Sequence, residues 1–592
     1  MAEIKMQHTD VVIVGFGWTG AIMAKELSDA GLRVVALERG VNRDLSTDDL
    51  YPGVIDELTY GTRGKLFQNL SRETVTIRHA ANGTAVPYRQ LHAFLPGDGV
   101  GGAGLHWGGV HFRVSPDELR IRSHYTERYG KKFIPEGMTA QDFGITYDEL
   151  EPYFDFAEKV FGTSGVAYTV KGKVVGKGNV FAPDRSHDFP LPPMPEMYTG
   201  AMFRKAASDL GFHPYPIPSA DAGGPYTNPY GAQMGPCNLC GFCSGYVCYN
   251  SSRATPNLNI LPALKLQPLF ELRTRSTVQK INLDSTRSKA TGVTYIDASG
   301  RSVEQTADMV LVCSFAYNNV RLLLLSEIGQ PYDPVSGTGV VGKNFTYQNV
   351  AKINLQLDQE RYTNSFIGSD GAGVAIDDFN ADHFDHGPLG FVGGSAIWSA
   401  HGGNKPIAAQ PIRHGAPQWG SGWKKELKQS YLHSTAVALQ GSCMAYRDCY
   451  LDLDPTYRDV NGLPLLRMTF DWKDNDTRMM AYVGEQAMKI ARALEPVEIS
   501  SGLRKPGAHF DTRTYQTTHL NGGAIMGSDP STSVVNKYLQ VWQVPNLFVH
   551  GASAFPNGLA YNPTGLVAAL TYYSAAAIKA HYLKSPHQLI AG

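Results

Sequence analysis

Four of the seven cysteines fall within twelve residues, CNLCGFCSGYVC, which places Cys237, Cys240, Cys243 and Cys248 in one short run and leaves Cys313, Cys443 and Cys449 scattered. A chain of 592 residues has core enough to fold without disulfide staples, and bridges inside so dense a run would be strained. Thiolates at this spacing suit a soft metal centre. The run is close to the three-cysteine head of ferredoxin-type iron–sulfur segments, although Tyr249 stands where a proline often follows the last cysteine. Structural zinc usually draws its ligands from two separated pairs, and here the run is compact with no histidine nearby. An iron–sulfur cluster is the first reading, with zinc and redox-active thiols as the alternatives.

A second chemical signature opens the chain. VVIVGFGWTGAIMAKELSDAGLRVVALERG (residues 11 to 40) carries Gly15-x-Gly17-x-x-Gly20 between an apolar run and a helical pattern, and Glu38 ends the next apolar run. Gly15 permits the tight turn, Gly17 lets a pyrophosphate approach the backbone, and Gly20 lets helix and strand pack closely. The helix start then offers unpaired N–H groups and its positive dipole end to the phosphates. Glu38 is spaced to accept hydrogen bonds from a ribose and disfavours a 2′-phosphate, so FAD or NAD is preferred to NADP. The plainer reading is a glycine-rich turn in an α/β unit that binds nothing.

The composition sets the frame for both signatures. Lys and Arg number 53 against 54 Asp and Glu, with 43% hydrophobic and 10% aromatic residues. Such a chain collapses into a large core and is neither disordered nor fibrous. Balanced charge without basic runs excludes a nucleic-acid binder held by phosphate neutralisation. The start, MAEIKMQHTD, shows no export signal, and no apolar run reaches the length of a membrane span. The longest, Leu566 to Ile578, reads as a buried helix with Pro563 near its start. A large, turn-rich α/β enzyme is the class that remains.

Two further segments narrow the cofactor: DGVGGAGLHWGGVHF (98 to 112), too glycine-dense for helix or strand, and the stretch from Thr517 to Ile578 containing THLNGGAIMG, HGASAFPNG and YNPTG. With the opening unit, they resemble the glucose-methanol-choline family of flavin oxidoreductases, and the C-terminal stretch is the most specific part. The likeness is greatest to its sugar-acid and sugar dehydrogenases, which also carry a mid-chain cysteine cluster. The resemblance implies an α/β fold with a Rossmann-like FAD-binding domain assembled from separated segments, an α+β substrate domain whose sheet covers the flavin, and a cysteine-rich iron–sulfur insertion. The expected FAD-binding segments are 1–115, 205–350 and 505–592, with the iron–sulfur loop at 230–256, and the substrate domain is expected from 116–204 and 351–504.

Residue by residue, the resemblance implies that His519 is the catalytic base and Asn562 the second polar group at flavin N5. It places Gly101, Gly102 and Ala103 in the loop that wraps the flavin, and Gly551, Ala552 and Ser553 along the ring and ribityl chain. These types suit alcohol oxidation, in which a base takes the hydroxyl proton as hydride leaves the carbon, and an amide orients the hydroxyl. Asn562 could instead cap the helix that begins at Pro563. His106, in a Leu-His-Trp context similar to the Thr-His-Trp of pyranose oxidases, is a candidate for covalent attachment to FAD; a hydrogen-bonding role is the alternative. The resemblance also implies a three-iron (3Fe-4S) cluster held by three of the four cysteines.

The expected reaction is oxidation of a secondary alcohol of a sugar acid, D-gluconate to 2-keto-D-gluconate, with electrons leaving through the iron–sulfur cluster. Other substrates in view are 2-ketogluconate, fructose, glucose and polyols; a pyranose-type oxidase and a lyase with structural FAD are the other enzyme readings. The resemblance further implies a small subunit carrying the export signal and a multihaem cytochrome c subunit. That places the protein at the periplasmic face of a bacterial inner membrane, held there through its partners. For the substrate carboxylate, Arg513, Lys505, Arg89 and Arg113 are the candidate cations, and the glycine-rich stretch Gly393 to Trp423 is expected to be loop at the pocket edge.

Overall fold

The computed structural model describes residues 4–43, 66–364, 366–399, 412–413 and 415–589. Its organising element is the strand Thr9–Val14, whose run Val11 to Val14 is buried because both faces of a parallel sheet are covered. Alternate residues feed two cores. Val12, Val14, Val35 and Leu37 join one cluster, and Val11, Ile13, Val34 and Ala36 join the other. In this sheet Phe270–Arg273, Val34–Leu37, Thr9–Val14 and Ser302–Val312 run side by side in parallel, and Leu547–Val549 joins Ser302–Val312 in parallel. An antiparallel extension of Thr277–Leu283 and Ala290–Ile296 pairs with the first half of Ser302–Val312. Helix Thr564–Ala577 packs between helices Trp18–Asp29 and Tyr147–Phe161, and its apolar composition matches burial on nearly every side.

A second, antiparallel sheet of six strands runs in the order Glu498–Ser501, Asn349–Gln356, Ser434–Gly441, Ser395–Ser399, Val374–Ile376, Tyr215–Pro216. Its strands alternate in character. Ile353, Leu355, Val437, Leu439 and Ile397 pack under helices Asp474–Ala493 and Tyr198–Asp209. The residues between them, including Val350, Lys352, Asn354, Ala438, Gln440 and Trp398, line a large cavity against the first sheet.

Sheet pairing shifts the expected boundaries. Helix Tyr198–Asp209 spans the division at 204/205 and packs on the second sheet, and Tyr215–Pro216 is that sheet's edge strand although it lies in an expected FAD segment. Motif positions carry no information about pairing between distant segments. Part of Gly393 to Trp423 is regular structure, since Ser395–Ser399 is a strand and Gly420–Ser430 a helix; residues 400–411 and 414 lie outside the described residues.

The close approach at Gly20 is severe. A Cβ there would lie 2.1 Å from the Gly15 carbonyl oxygen, while Gly15 itself has φ +92°. Gly20→Ala must push helix and turn apart, and overpacking of this kind costs about 1–3 kcal/mol. The variant is expected to purify with reduced flavin absorbance and a lower denaturation midpoint; an unchanged spectrum and midpoint would show that the turn tolerates the side chain.

Candidate active site

The cavity measures about 1270 Å³ and joins two regions. One is the cradle built by the opening strand-turn-helix. Helix Trp18–Asp29 starts at Gly17 with no side-chain cap and no acidic residue in its first turn, so its leading N–H groups and dipole face the cavity unneutralised. Glu38 is buried beside them. Its two oxygens accept from the backbone N–H groups of Phe16 and Gly40, each at 2.9 Å, and burial raises its pKa despite these bonds. A carboxylate has lone pairs left for ribose hydroxyls. The glycine-rich loop closes over the cradle, with the Gly101 N–H donating to the Phe16 carbonyl at 2.7 Å.

The expected site residues sort clearly. Gly15, Gly17, Glu38, Gly102, Ala103, His106, Gly551, Ala552, His519 and Asn562 all line the one cavity. Gly20, Gly101 and Ser553 stand behind it. Gly20 packs against Gly15, Gly101 would clash with Asn257 if it carried a Cβ, and the Ser553 hydroxyl accepts from Asn319 Nδ2 at 3.0 Å. His106 is buried in the cavity wall with its ring edge-on to Phe67 at 4.6 Å.

The second region is organised by two glutamines that the sequence did not single out. A short ladder, Thr346↔Asn521 and Tyr347↔Leu520, sets Gln348 beside His519. Gln348 Nε2 donates to the carbonyls of Leu559, Ala560 and Tyr561 at 2.8, 2.8 and 3.1 Å. With the amide nitrogen so committed, Oε1 is the atom facing His519 Nδ1, in a short hydrogen bond. An amide oxygen only accepts, so Nδ1 carries the proton and Nε2 keeps its lone pair. Gln440 acts likewise on Asn562: its Nε2 donates to the Ala560 carbonyl and to Asn562 Oδ1, both at 2.9 Å, which turns Asn562 Nδ2 toward His519 Nε2 at 3.3 Å. Helix Thr564–Ala577 has Pro563 at its cap and no side-chain cap bond, so Asn562 serves the histidine and not the helix. Burial lowers the His519 pKa to about 4.

The cysteine run packs directly against the glycine-rich loop. The Gly245 N–H donates to the His106 carbonyl at 2.7 Å, and the buried Arg253 donates to the Leu105 carbonyl at 2.8 Å. Cys243 is buried beside Asp221 and Ser369, and Cys237, Cys240 and Cys248 are half-buried. Burial raises the thiol pKa of Cys237 to about 12 and also raises those of Cys240 and Cys243, so a bound cation is what would draw thiolates here. Among the described residues, no three of these sulfurs lie within 4.8 Å of one another. A tetrahedral zinc at about 2.3 Å from each sulfur would hold them roughly 3.8 Å apart; a multi-iron cluster sets its cysteines wider.

The candidate carboxylate cations do not reach the cavity. Arg513 is exposed and bidentate to Asp511, with its closest contact at 2.7 Å. Arg113 is buried but bound to Glu158 and Glu151, and Lys505 and Arg89 are exposed away from the cavity lining.

Comparison with known proteins decides the family. GMC oxidoreductase models match residues 141–350 and 445–571, and the chain is 60% identical over 589 residues to the gluconate 2-dehydrogenase flavoprotein of Pantoea cypripedii, covering 99% of this chain and 96% of that one. The chain belongs to the GMC oxidoreductase family. GMC oxidoreductases bind FAD, and the cradle, the uncapped helix start and the size of the cavity fit that cofactor. More distant relatives are the 2-methyl-1,2-propanediol dehydrogenase of Mycolicibacterium austroafricanum, at 28% identity over 95% of this chain and 94% of that one, and the fructose dehydrogenase large subunit of Gluconobacter japonicus, at 24% over 96% and 97%. Pyridoxine 4-oxidase from Mesorbium loti shares the fold, with a TM-score of 0.58 at 16% identity, covering 97% of this chain and 99% of that one.

Because burial depresses its pKa, His519 stays neutral as pH falls and is protonated at Nε2 only on descent through about 4. Flavin reduction by substrate is therefore expected to hold constant from pH 7 to 5 and to fall below that. His519→Asn should slow it by roughly 10²- to 10⁴-fold. An acid limb near pH 6.5 in stopped-flow traces would contradict the buried, neutral histidine.

Proposed function

We propose that this chain is the flavoprotein subunit of a sugar-acid dehydrogenase that oxidises C2 of D-gluconate to 2-keto-D-gluconate. The observation that carries this reading is the amide-locked pair of His519 and Asn562 opening into the same cavity as the glycine cradle. The name and the 60% identity of the Pantoea cypripedii relative support the substrate. FAD bound in the cradle supplies the hydride acceptor.

The chain's own residues do the rest. The helix start at Gly17 and the surrounding turn bind the pyrophosphate, and Glu38 accepts from the ribose. His519 Nε2 takes the hydroxyl proton, and the imidazolium that forms is stabilised through Nδ1–H by the Gln348 oxygen. Asn562 Nδ2 orients the substrate oxygen toward that nitrogen. Tyr347, Phe510 and Tyr515 pack behind the His519 segment and hold it rigid.

The cysteine run is proposed to hold an iron–sulfur cluster, 3Fe-4S, that takes single electrons onward. Its contact with the His106 loop supports this, because a short path through packed backbone joins the two. The electrons are proposed to pass to a multihaem cytochrome c subunit, with a small subunit carrying the export signal, at the periplasmic face of the inner membrane. No helix among the described residues is long and apolar enough to cross a membrane, which is consistent with attachment through partners. His106 is proposed to carry FAD covalently, a reading supported by its burial in the cavity wall next to the Gly102–Leu105 turn.

Anaerobic addition of gluconate to the purified subunit is expected to bleach the flavin absorbance and to change the iron–sulfur resonance signal; full retention of the oxidised spectrum would overturn the proposal. On a denaturing gel the flavin fluorescence should travel with the polypeptide and disappear in His106→Ala. Fluorescence at the dye front in the wild type would refute the covalent link.

A further inference from the structure

Four basic side chains other than histidine line the cavity among the described residues: Arg39, Arg321, Lys352 and Arg413. Three are already neutralised. Arg39 is held by Glu73 at 2.9 Å and Asp98 at 3.6 Å, Arg321 by Glu73 at 3.2 Å and Asp459 at 2.8 Å, and Arg413 by Glu426 at 2.7 Å. Lys352 forms no ion pair among the described residues and is exposed to the cavity.

The register of the second sheet places it. Val350 pairs with Gln440, and Gln440 holds Asn562, which in turn meets His519. Lys352 is the next residue on the same face, about 7 Å further along the strand at two residues' rise. It pairs with Ala438, and Ala438 pairs with Trp398 in the neighbouring strand. Lys352 and Trp398 therefore flank a small residue across three strands, about 10 Å apart at the spacing of neighbouring strands. Trp398 is fixed by stacking on Phe112, at 6.2 Å and 11°, and Phe112 stacks on Tyr561 at 4.5 Å. The result is a floor with a methyl group at its centre, a flat ring on one side and an ammonium on the other. Its width suits one open six-carbon chain.

We propose that Lys352 is the specificity residue that binds the carboxylate of the sugar acid, its four-carbon stem reaching back over Val350 toward His519 while the hydroxylated chain lies over Ala438 against Trp398. This rests on the sugar-acid reading above. A carbon at C2 held by His519 has its carboxylate one bond away, so the cation must stand within a side chain's reach of the histidine. Lys352 lines the cavity two residues beyond Val350, the partner of Gln440, whereas Arg513, Lys505, Arg89 and Arg113 do not line it.

The test is steady-state kinetics of the holoenzyme with an artificial electron acceptor, using gluconate and its neutral amide, gluconamide, on wild type, Lys352→Met and Lys352→Arg, each first shown to carry the wild-type flavin spectrum. Lys352→Met is expected to raise the ratio of KM for gluconate to KM for gluconamide by roughly 10- to 100-fold, as loss of a charge-assisted hydrogen bond does, while kcat for gluconate changes much less. Lys352→Arg should recover most of that ratio. An unchanged ratio in Lys352→Met, or an equal rise in both KM values, overturns the assignment while leaving the sugar-acid reading intact. A wild-type enzyme that oxidises gluconamide or a neutral sugar but not gluconate overturns the sugar-acid reading, and the assignment with it.

Discussion

The site depends on the direction in which one buried amide points. Gln348 has its nitrogen committed to three successive carbonyls, those of Leu559, Ala560 and Tyr561, so its oxygen has to face His519. The turn that supplies those carbonyls is itself fixed. The Ala560 N–H donates to buried Glu118 at 3.2 Å, and the Tyr561 hydroxyl donates to buried Asp377. A reversed amide would leave buried donors and acceptors facing their own kind, which costs roughly 1–3 kcal/mol for each unmet group. The tautomer of the histidine is thus decided by backbone in a different part of the chain.

The fold is arranged to bring these parts together. The parallel sheet presents the glycine cradle at the end of Thr9–Val14 and, through Leu547–Val549, delivers the turn that begins at Gly551 to the same cavity. The antiparallel sheet forms the facing wall, apolar where it meets its helices and mixed where it meets the cavity. His519 lies at the seam, tied on one side to the strand Asn349–Gln356 through Gln348 and Tyr515, and on the other to the Gly551 turn through the Gly522 N–H and the Ala552 carbonyl at 3.0 Å. Any opening of the seam would displace His519 in the cavity, so the proton transfer proposed for it requires rigidity here.

Much of this was legible in the sequence because it is local. A strand, a glycine turn, a helix and an acidic strand end are contiguous, and the strand, turn and helix form as read. His519 and Asn562 stand out through the resemblance of their segments, and Asn562 Nδ2 lies 3.3 Å from His519 Nε2. Gln348 and Gln440 were not reached. They lie 171 and 122 residues from the side chains they orient, and a glutamine in or beside a strand has no motif. A trace was present: NVAKINLQ alternates Ala351, Ile353 and Leu355 with Val350, Lys352 and Asn354, a pattern of one buried and one open face. The carboxylate candidates failed for a related reason. Arg513 stands six residues before His519 in sequence, yet Asp511 holds it at the surface; nearness along the chain says little about a side chain on a turn.

The dependence of the histidine on the glutamine can be tested by itself. In Gln348→Met the acceptor opposite Nδ1–H is lost, which disfavours the imidazolium and should slow substrate-driven flavin reduction by roughly tenfold or more at pH 7. The measurement is anaerobic stopped-flow reduction by gluconate across pH 4 to 8 for the wild type and this variant. A rate lowered across the whole profile with the flavin spectrum intact is the predicted result, and coincident pH profiles in the two proteins would contradict the account.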